Sequence, residues 1–281
     1  MGRARVRIMA VALLSLAIAV GACSEDQPAL RQSTSTASSN NPPESTAPAL
    51  SLVAVGDSDA TGKGDPSGEG WVGRYAKLLD PEMGRKVTVT SLAEDGLTSD
   101  RLVQQLTSDA DTMAAIAAAD IIVLGAGGAD LNAGDDRFAA GTCSAEACYK
   151  DDLVAFGRNM HEAAVAIAMA RDGKPTLFRA ITLPNELTGA ESVIPPFLRP
   201  VATRVGVYQA KSIRSSVCSA MHKHHGDCID VLNAFNGASG KNNAYKSRLM
   251  NSSDCCYPSA KGQQLMAELL IKTGTTPVVL G

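Results

Sequence analysis

Residues 51–64 read SLVAVGDSDATGKG, and this stretch decides the fold. The apolar run 52–55 leads directly into Gly56, which predicts a short buried strand followed by a tight turn. Such a turn can cradle a phosphate or present a side chain for reaction. The phosphate reading fails because five residues separate Gly56 from Gly62, where a P-loop has four, and Gly64 replaces its hydroxyl residue. No G-x-G-x-x-G pattern follows the strand either, which leaves Ser58 as the side chain presented.

Strand and helix patterns alternate along the rest of the chain. Further strands are predicted at 86–92, 121–124, 175–183 and 228–232, and helices at 71–79, 151–171, 200–222 and 259–271. This alternation predicts an α/β fold, a three-layer αβα sandwich around a flavodoxin-like parallel sheet of about five strands. In such sheets the working loops lie at the carboxyl ends of the strands.

Composition limits the class of protein. The 281 residues are 45% hydrophobic with a formal net charge of −3, which suits one globular domain with a large core. A slightly acidic chain with 4% aromatic residues offers neither the basic face nor the stacking platforms that nucleic acids require. We therefore expect no binding of nucleic acid. We also expect a monomer.

The N-terminal segment has the pattern of an export signal. Arg3, Arg5 and Arg7 precede an apolar run over 8–20, which is too short to span a membrane comfortably, and Gly21-Ala22-Cys23 follows. A cysteine after Gly-Ala resembles the bacterial lipobox, so we expect a signal peptide over 1–22, acylation of Cys23 and anchoring to the outer face of the cell membrane. An ordinary signal with a chance cysteine, and hence secretion, is the alternative.

A polar linker separates this segment from the domain. Residues 23–49 are rich in Ser, Thr, Asn and Pro and too poor in apolar residues to fold, which predicts a flexible tether before a domain over 50–281.

The remaining cysteines are even in number, which in an exported chain predicts three disulfides. They are Cys143, Cys148, Cys218, Cys228, Cys255 and Cys256. We expect Cys143 and Cys148 to form a local pair. The adjacent Cys255 and Cys256 are expected to reach separate partners, with Cys218 and Cys228 among the candidates.

Four segments in order resemble the sequence blocks of the SGNH, or GDSL, hydrolase family. The first is Gly56-Asp57-Ser58 with Gly62 four residues after the serine, and the second is Gly96 in the turn after the second strand. The segment 119–131, ADIIVLGAGGADL, is similar to block three, and 254–262, DCCYPSAKG, is similar to block five. The resemblance covers about residues 50–272 and implies the fold of that family.

The resemblance also implies roles for individual residues. Ser58 would be the nucleophile, the N–H groups of Ser58 and Gly96 would hold the oxyanion, and Asp254 would orient the base. Two family positions differ, because Ala129 stands in place of the block-three Asn and Tyr257 in place of the block-five His. Without a base the serine hydroxyl stays protonated near neutral pH.

Two functions therefore follow from the resemblance. One is a weak serine esterase of lipase type, acting without a cofactor on ester, lipid or glycan substrates. The other is a catalytically inactive binding or scaffold protein that retains the cleft. In either case Asp57 and Asp130 also have a structural reading, since a carboxylate at a turn or helix start accepts backbone N–H groups.

A third possibility comes from the histidines. His222, His224 and His225 lie between Cys218 and Cys228, a spacing compatible with zinc. In an oxidising compartment a disulfide that closes this loop is the simpler interpretation, and we expect no metal.

Overall fold

The computed structural model describes residues 47–253 and 256–281. The expected signal peptide, Cys23, nearly all of the expected tether, Asp254 and Cys255 lie outside these residues. Among the described helices none is long and apolar enough to cross a membrane.

A five-stranded parallel sheet forms the centre of the domain. Its spatial order is β2-β1-β3-β4-β5, which is the flavodoxin-like order. The strands are β1 (Leu50–Gly56), β2 (Val87–Ser91), β3 (Ile121–Gly125), β4 (Leu177–Ile181) and β5 (Asp227–Ile229). The predicted three-layer α/β architecture is thus confirmed.

Helices cover both faces of the sheet. They are α1 (Gly70–Met83), α2 (Ser99–Ser108), α3 (Ala110–Ala118), α4 (Asn132–Ala139), α5 (Lys150–Arg171), α6 (Ala202–Lys223), α7 (Val231–Asn236) and α8 (Ala260–Ile271). Successive side chains of a strand point to opposite faces. Leu52 accordingly packs in the core beneath α1 and α8, whereas Val53 packs in the core beneath α2, α3, α5 and α6.

Close backbone packing fixes the turn after β1. Gly56 pairs with Gly125 of β3 and has a φ of 134°. A Cβ at Gly56 would lie 1.8 Å from the Gly125 carbonyl oxygen, so only glycine fits. The turn rests on Trp71, whose indole N–H donates to the Asp59 carbonyl oxygen at 2.8 Å. The loop that carries Ser58 is therefore held by the sheet on one side and by α1 on the other.

The fifth strand is shorter than the predicted 228–232. It ends at Ile229, and the Asp230 carboxylate accepts a hydrogen bond from the Asn233 N–H, which caps α7. Val231 and Leu232 are buried as parts of a helix rather than of a strand. A short apolar run does not by itself distinguish these two buried structures.

The disulfides are partly as predicted. Cys143 pairs with Cys148, which confirms the local assignment. Cys218 pairs with Cys228, so the expectation that Cys255 or Cys256 reaches one of these two was wrong. The pairing is local because α6 leads directly into β5 and brings the two ends of the turn together. Cys256 is also disulfide-bonded.

Candidate active site

Ser58 lies at a cavity at the carboxyl edge of the sheet. The cavity has a volume of ≈ 340 Å³, and its lining includes Ser58, Gly96, Ala129 and Tyr257. These residues follow β1, β2 and β3 or precede α8, so the topology brings together the four predicted positions that the structure describes. The Ser58 hydroxyl forms no hydrogen bond with any described residue and is free to meet a ligand.

Two residues that line the cavity have backbone N–H groups without an acceptor in the described chain. Within the described chain, neither the Ser58 N–H nor the Gly96 N–H donates to another residue. Gly96 has a φ of 74°, a left-handed conformation that glycine adopts without strain. These two N–H donors at the cavity have no acceptor in the described chain, and paired N–H donors of this kind can stabilise a developing oxyanion.

Asp57 connects the turn after β1 to the turn after β3. Its buried Oδ2 accepts hydrogen bonds from the N–H groups of Gly127, Gly128 and Ala129 at 2.9, 3.0 and 3.4 Å. Its Oδ1 accepts from the Asp59 N–H at 3.1 Å. Burial raises the pKa of Asp57 to about 6, against the lowering effect of these four hydrogen bonds. This aspartate holds two site loops in register, which is the structural role expected for it.

Asp130 has a structural role as well. Its carboxylate accepts hydrogen bonds from the Ser99 N–H at 3.1 Å and from the Ser99 hydroxyl at the start of α2. The residue before it, Ala129, is 7% exposed and lines the cavity. If the resemblance aligns Ala129 correctly with the block-three Asn, a methyl group stands at the cavity where an amide would donate.

Tyr257, which the sequence resemblance aligns with the base of the family, lines the cavity. Its carbonyl oxygen accepts from the Asn251 N–H at 2.8 Å, and the next residue, Pro258, bridges to Met250, so the backbone is held. The Lys63 ammonium lies 4.9 Å from the centre of the Tyr257 ring and pairs with Asp95 at 3.3 Å. No hydrogen bond joins Tyr257 to Ser58 among the described residues.

The four histidines lie away from this cavity. His222, His224 and His225 follow or end α6, just before β5 begins, which puts them at the amino edge of the sheet. His161 lies with them, since its Nδ1 is 3.3 Å from the His224 Nε2. No described residue lining the cavity is a histidine.

The zinc alternative is not supported by this arrangement. Cys218 and Cys228 are oxidised to each other, and a disulfide sulfur is not a thiolate ligand. In residues 47–253 and 256–281, no group of three metal-ligating side chains converges.

Sequence reasoning missed three carboxyl groups that line the cavity. They are Asp59, in the turn after β1, Asp135 of α4 and Glu186, in the loop after β4. Burial raises the pKa of each, and charge repulsion adds to the effect. The strand-end rule would have flagged Asp59 and Glu186, because both follow strands that were predicted.

The chain matches the model of the family described as GDSL-like Lipase/Acylhydrolase over residues 52–270. The chain belongs to this family. Among solved structures, this GDSL-like domain is similar to the lipase Lip_vut3 from a goat rumen metagenome, at 19% identity and a TM-score of 0.66, over 80% of this chain and 97% of that one. It is also similar to a catalytic mutant of Axe2, an acetylxylan esterase from Geobacillus stearothermophilus, at 16% identity and a TM-score of 0.53, over 79% of this chain and 93% of that one. At these identities the likeness shows the fold, and no curated protein matches.

Proposed function

We propose that this GDSL-like domain is a slow serine ester hydrolase that acts through Ser58. The observation that carries the proposal is an unpartnered serine hydroxyl at a cavity with two unspent backbone N–H donors beside it. Family membership and the esterase and lipase names of the neighbouring structures support the same reaction class. The substrate class is an ester of an alcohol, a lipid or a glycan, and no cofactor takes part.

Two substitutions set the expected rate. Loss of one oxyanion donor, here the amide that Ala129 lacks, typically costs about 100- to 1,000-fold in rate. Loss of a member of the catalytic triad typically leaves only about 10³- to 10⁴-fold acceleration over water. Tyr257 brings a phenol in place of an imidazole, and a phenol is a base only when ionised. The reaction is therefore expected to be slow rather than absent.

The second candidate is a binding protein without catalysis. It is favoured by the lack of an imidazole among the described residues at the cavity, because an alcohol without a base is a poor nucleophile. Its cleft would then hold an ester, lipid or glycan ligand without cleaving it.

Hydrolysis of p-nitrophenyl acetate and butyrate separates the two candidates. Wild type is compared with Ser58→Ala and with Ser215→Ala, a matched control whose serine is exposed on α6 away from the site. A slow esterase shows a rate above background that Ser58→Ala abolishes and Ser215→Ala retains. Equal background rates in all three proteins would contradict the hydrolase proposal for these substrates.

Restoring the family residues tests the assignment of positions. The double variant Ala129→Asn, Tyr257→His is expected to raise the esterase rate by at least roughly 100-fold, because it returns one oxyanion donor and a base. Circular dichroism establishes that the variant is folded. A folded double variant with no gain would show that these two positions are not what limits the rate.

We also propose that the protein works in the cell envelope, held by a lipid on Cys23. The N-terminal pattern supports this location. Mass spectrometry of the mature N-terminus, with Cys23→Ser as the comparison, tests it: wild type should partition with the membrane and carry acyl mass, and the variant should do neither. An unmodified wild-type Cys23 would overturn the anchor.

A further inference from the structure

The cavity beside Ser58 carries charge of one sign. Asp59, Asp135 and Glu186 line it, and the buried Asp57 lies directly behind Ser58. Lys63 is the one cationic side chain among the described lining residues, and it is exposed at the rim, where Asp95 already pairs with it. The interior of the cavity is therefore acidic without an internal counterion.

Asp59 is the most unusual of these groups. The residue is 3% exposed, and its Oδ1 is buried without a hydrogen-bond partner among the described residues. A buried carboxyl group normally has partners, because leaving a buried polar atom unpaired destabilises the fold. The backbone at Asp59 is fixed in place, because its carbonyl oxygen accepts from the Trp71 indole N–H and from the Gly62 N–H. Its carboxyl group is thus held at the cavity wall with nothing to bind.

Glu186 faces the cavity from the loop after β4. Its carbonyl oxygen accepts from the Tyr245 hydroxyl at 2.9 Å. The preceding residue, Asn185, is fully buried and exchanges hydrogen bonds with Asn236 at 2.8 and 3.1 Å. The loop is therefore fixed, yet the Glu186 carboxyl group has no hydrogen-bond partner among the described residues.

Asp135 differs from these two. Its Oδ1 accepts from the Tyr149 hydroxyl at 2.5 Å, so this carboxylate already has a partner within the protein. The cavity carboxyl groups without a hydrogen-bond partner among the described residues are consequently those of Asp59 and Glu186. Asp59 follows β1 and Glu186 follows β4, the two strands that flank β3. Burial raises the pKa values of Asp59 and Glu186, and the charges of neighbouring acids raise them further, so a cation bound beside these two groups would favour their ionised forms.

We propose that the cavity binds an organic ammonium group that carries N–H donors, with Asp59 and Glu186 as its acceptors. This inference rests on the proposed function in one respect, since it makes the preferred substrate an ester that bears a primary ammonium. The ammonium can belong to the acyl part, as in an aminoacyl ester, or to the alcohol part, as in an amino-alcohol ester.

Two other cations fit the cavity less well. A quaternary ammonium is typically recognised by a cage of aromatic faces, but Tyr257 is the one aromatic residue in the described lining, and Lys63 lies over its ring. A divalent metal needs several converging ligands, which the described residues do not provide. A primary ammonium has three N–H donors and matches two separate carboxyl acceptors.

Calorimetric titration of the full chain carrying Ser58→Ala tests the proposal at pH 7 without interference from hydrolysis. For the acyl arm, alanine methyl ester is compared with its neutral isostere methyl isobutyrate. For the alcohol arm, 2-aminoethyl acetate is compared with propyl acetate. In at least one arm the cationic ester should bind roughly ten-fold or more tightly than its isostere, and the arm in which it does identifies where the ammonium belongs.

Variants of the two acids complete the test. Asp59→Asn and Glu186→Gln, each added to Ser58→Ala, should remove most of the preference for the cationic ester, whereas the control Glu191→Gln, an exposed acid in the same loop as Glu186, should leave it unchanged. Near-UV circular dichroism verifies that each variant is folded. If Asp59→Asn does not fold, the preference measured with Glu186→Gln decides the test. Equal affinity for cation and isostere in both arms, or a preference unchanged in both acid variants, would overturn the proposal.

The failure of this inference differs from the failure of the proposed function. A wild-type enzyme that cleaves neutral and cationic esters equally well overturns the ammonium site alone. A protein that binds the cationic ester but never cleaves it overturns the hydrolase proposal alone.

Discussion

Replacing Asp59 by Asn should change how the stability of the protein depends on pH. The folded protein raises the pKa of Asp59 well above its ordinary value of 3.8, through burial first and the charge of Asp57 second. The folded state then holds a proton that the unfolded state has released. Stability is consequently lost as pH rises above about 4, and the loss ends only above the pKa of the folded state.

The size of the effect follows from one proton. Each pH unit above the unfolded pKa costs the wild type up to about 1.4 kcal/mol at 25 °C, while the neutral Asn costs nothing. Between pH 4 and pH 7 the variant should therefore gain up to about 4 kcal/mol relative to wild type. Near pH 4 the difference should be small, because a protonated carboxyl group and an amide are both neutral.

Urea unfolding at pH 4, 5, 6 and 7, without reductant so that the disulfides stay closed, measures this difference. Groups that do not interact with Asp59 titrate alike in both proteins and cancel. They include His161, whose pKa is lowered by burial, so that it makes stability rise with pH. Asp57 and Glu186 interact with Asp59 through charge, so a change in their titration is part of the measured difference. Glu191→Gln serves as the control and should track wild type.

One result would refute the reasoning. If the free energy of unfolding of Asp59→Asn minus that of wild type stays constant or falls from pH 4 to pH 7, Asp59 does not take up a proton on folding. The unpartnered carboxyl group would then be satisfied in solution.

Three further changes have defined outcomes. Gly56→Ala should abolish folding, because its methyl would meet a β3 carbonyl oxygen at 1.8 Å; circular dichroism of the purified chain measures this, and a native spectrum would contradict the tight packing. Removing the disulfide with Cys218→Ala, Cys228→Ala should cost about 3 kcal/mol of unfolding free energy, as expected for a loop with a sequence separation of 10, and an unchanged urea midpoint would oppose it. Asp130→Ala should cost about 1 kcal/mol through loss of the acceptor at the start of α2, again read from the urea midpoint, and no loss would mean that water replaces it.

The backbone of the site could be predicted from sequence because its signals are local. The run into Gly56, the turn at Gly96 and the strand before Ala129 each combine apolar residues with a glycine turn, and parallel strands bring their carboxyl ends to one edge. The end of β5 was misplaced because a buried strand and a buried helix share the same apolar pattern. The Asp230 carboxylate that caps α7 marks the start of this helix only in the folded chain.

The strand ends indicate where Asp59 and Glu186 lie, but their burial and their shifted pKa values could not be predicted in the same way. Asp59 and Glu186 are far apart in the chain, and neither has a neighbour that marks it as buried. Their raised pKa values come first from desolvation, which exists only after β1 and β4 are assembled in one sheet. The charge of Asp57 adds to the effect on Asp59, and the charge of Asp59 adds to the effect on Glu186. The position of the histidines is likewise a property of the topology, since the end of α6 brings His222, His224 and His225 to the edge of the sheet opposite Ser58, where His161 of α5 meets them.

The hydrogen bonds of Asp57 bear on how such a domain changes over time. A chain that lost this carboxylate would lose the hydrogen bonds that join two loops and would be less stable, whether or not the neighbouring Ser58 hydroxyl attacked a substrate. Selection for a sound architecture therefore suffices to keep Gly-Asp in front of the serine. Descendants that have abandoned hydrolysis would still display the signature of enzymes. The position of the family histidine, which is Tyr257 here, is the place to look for the difference.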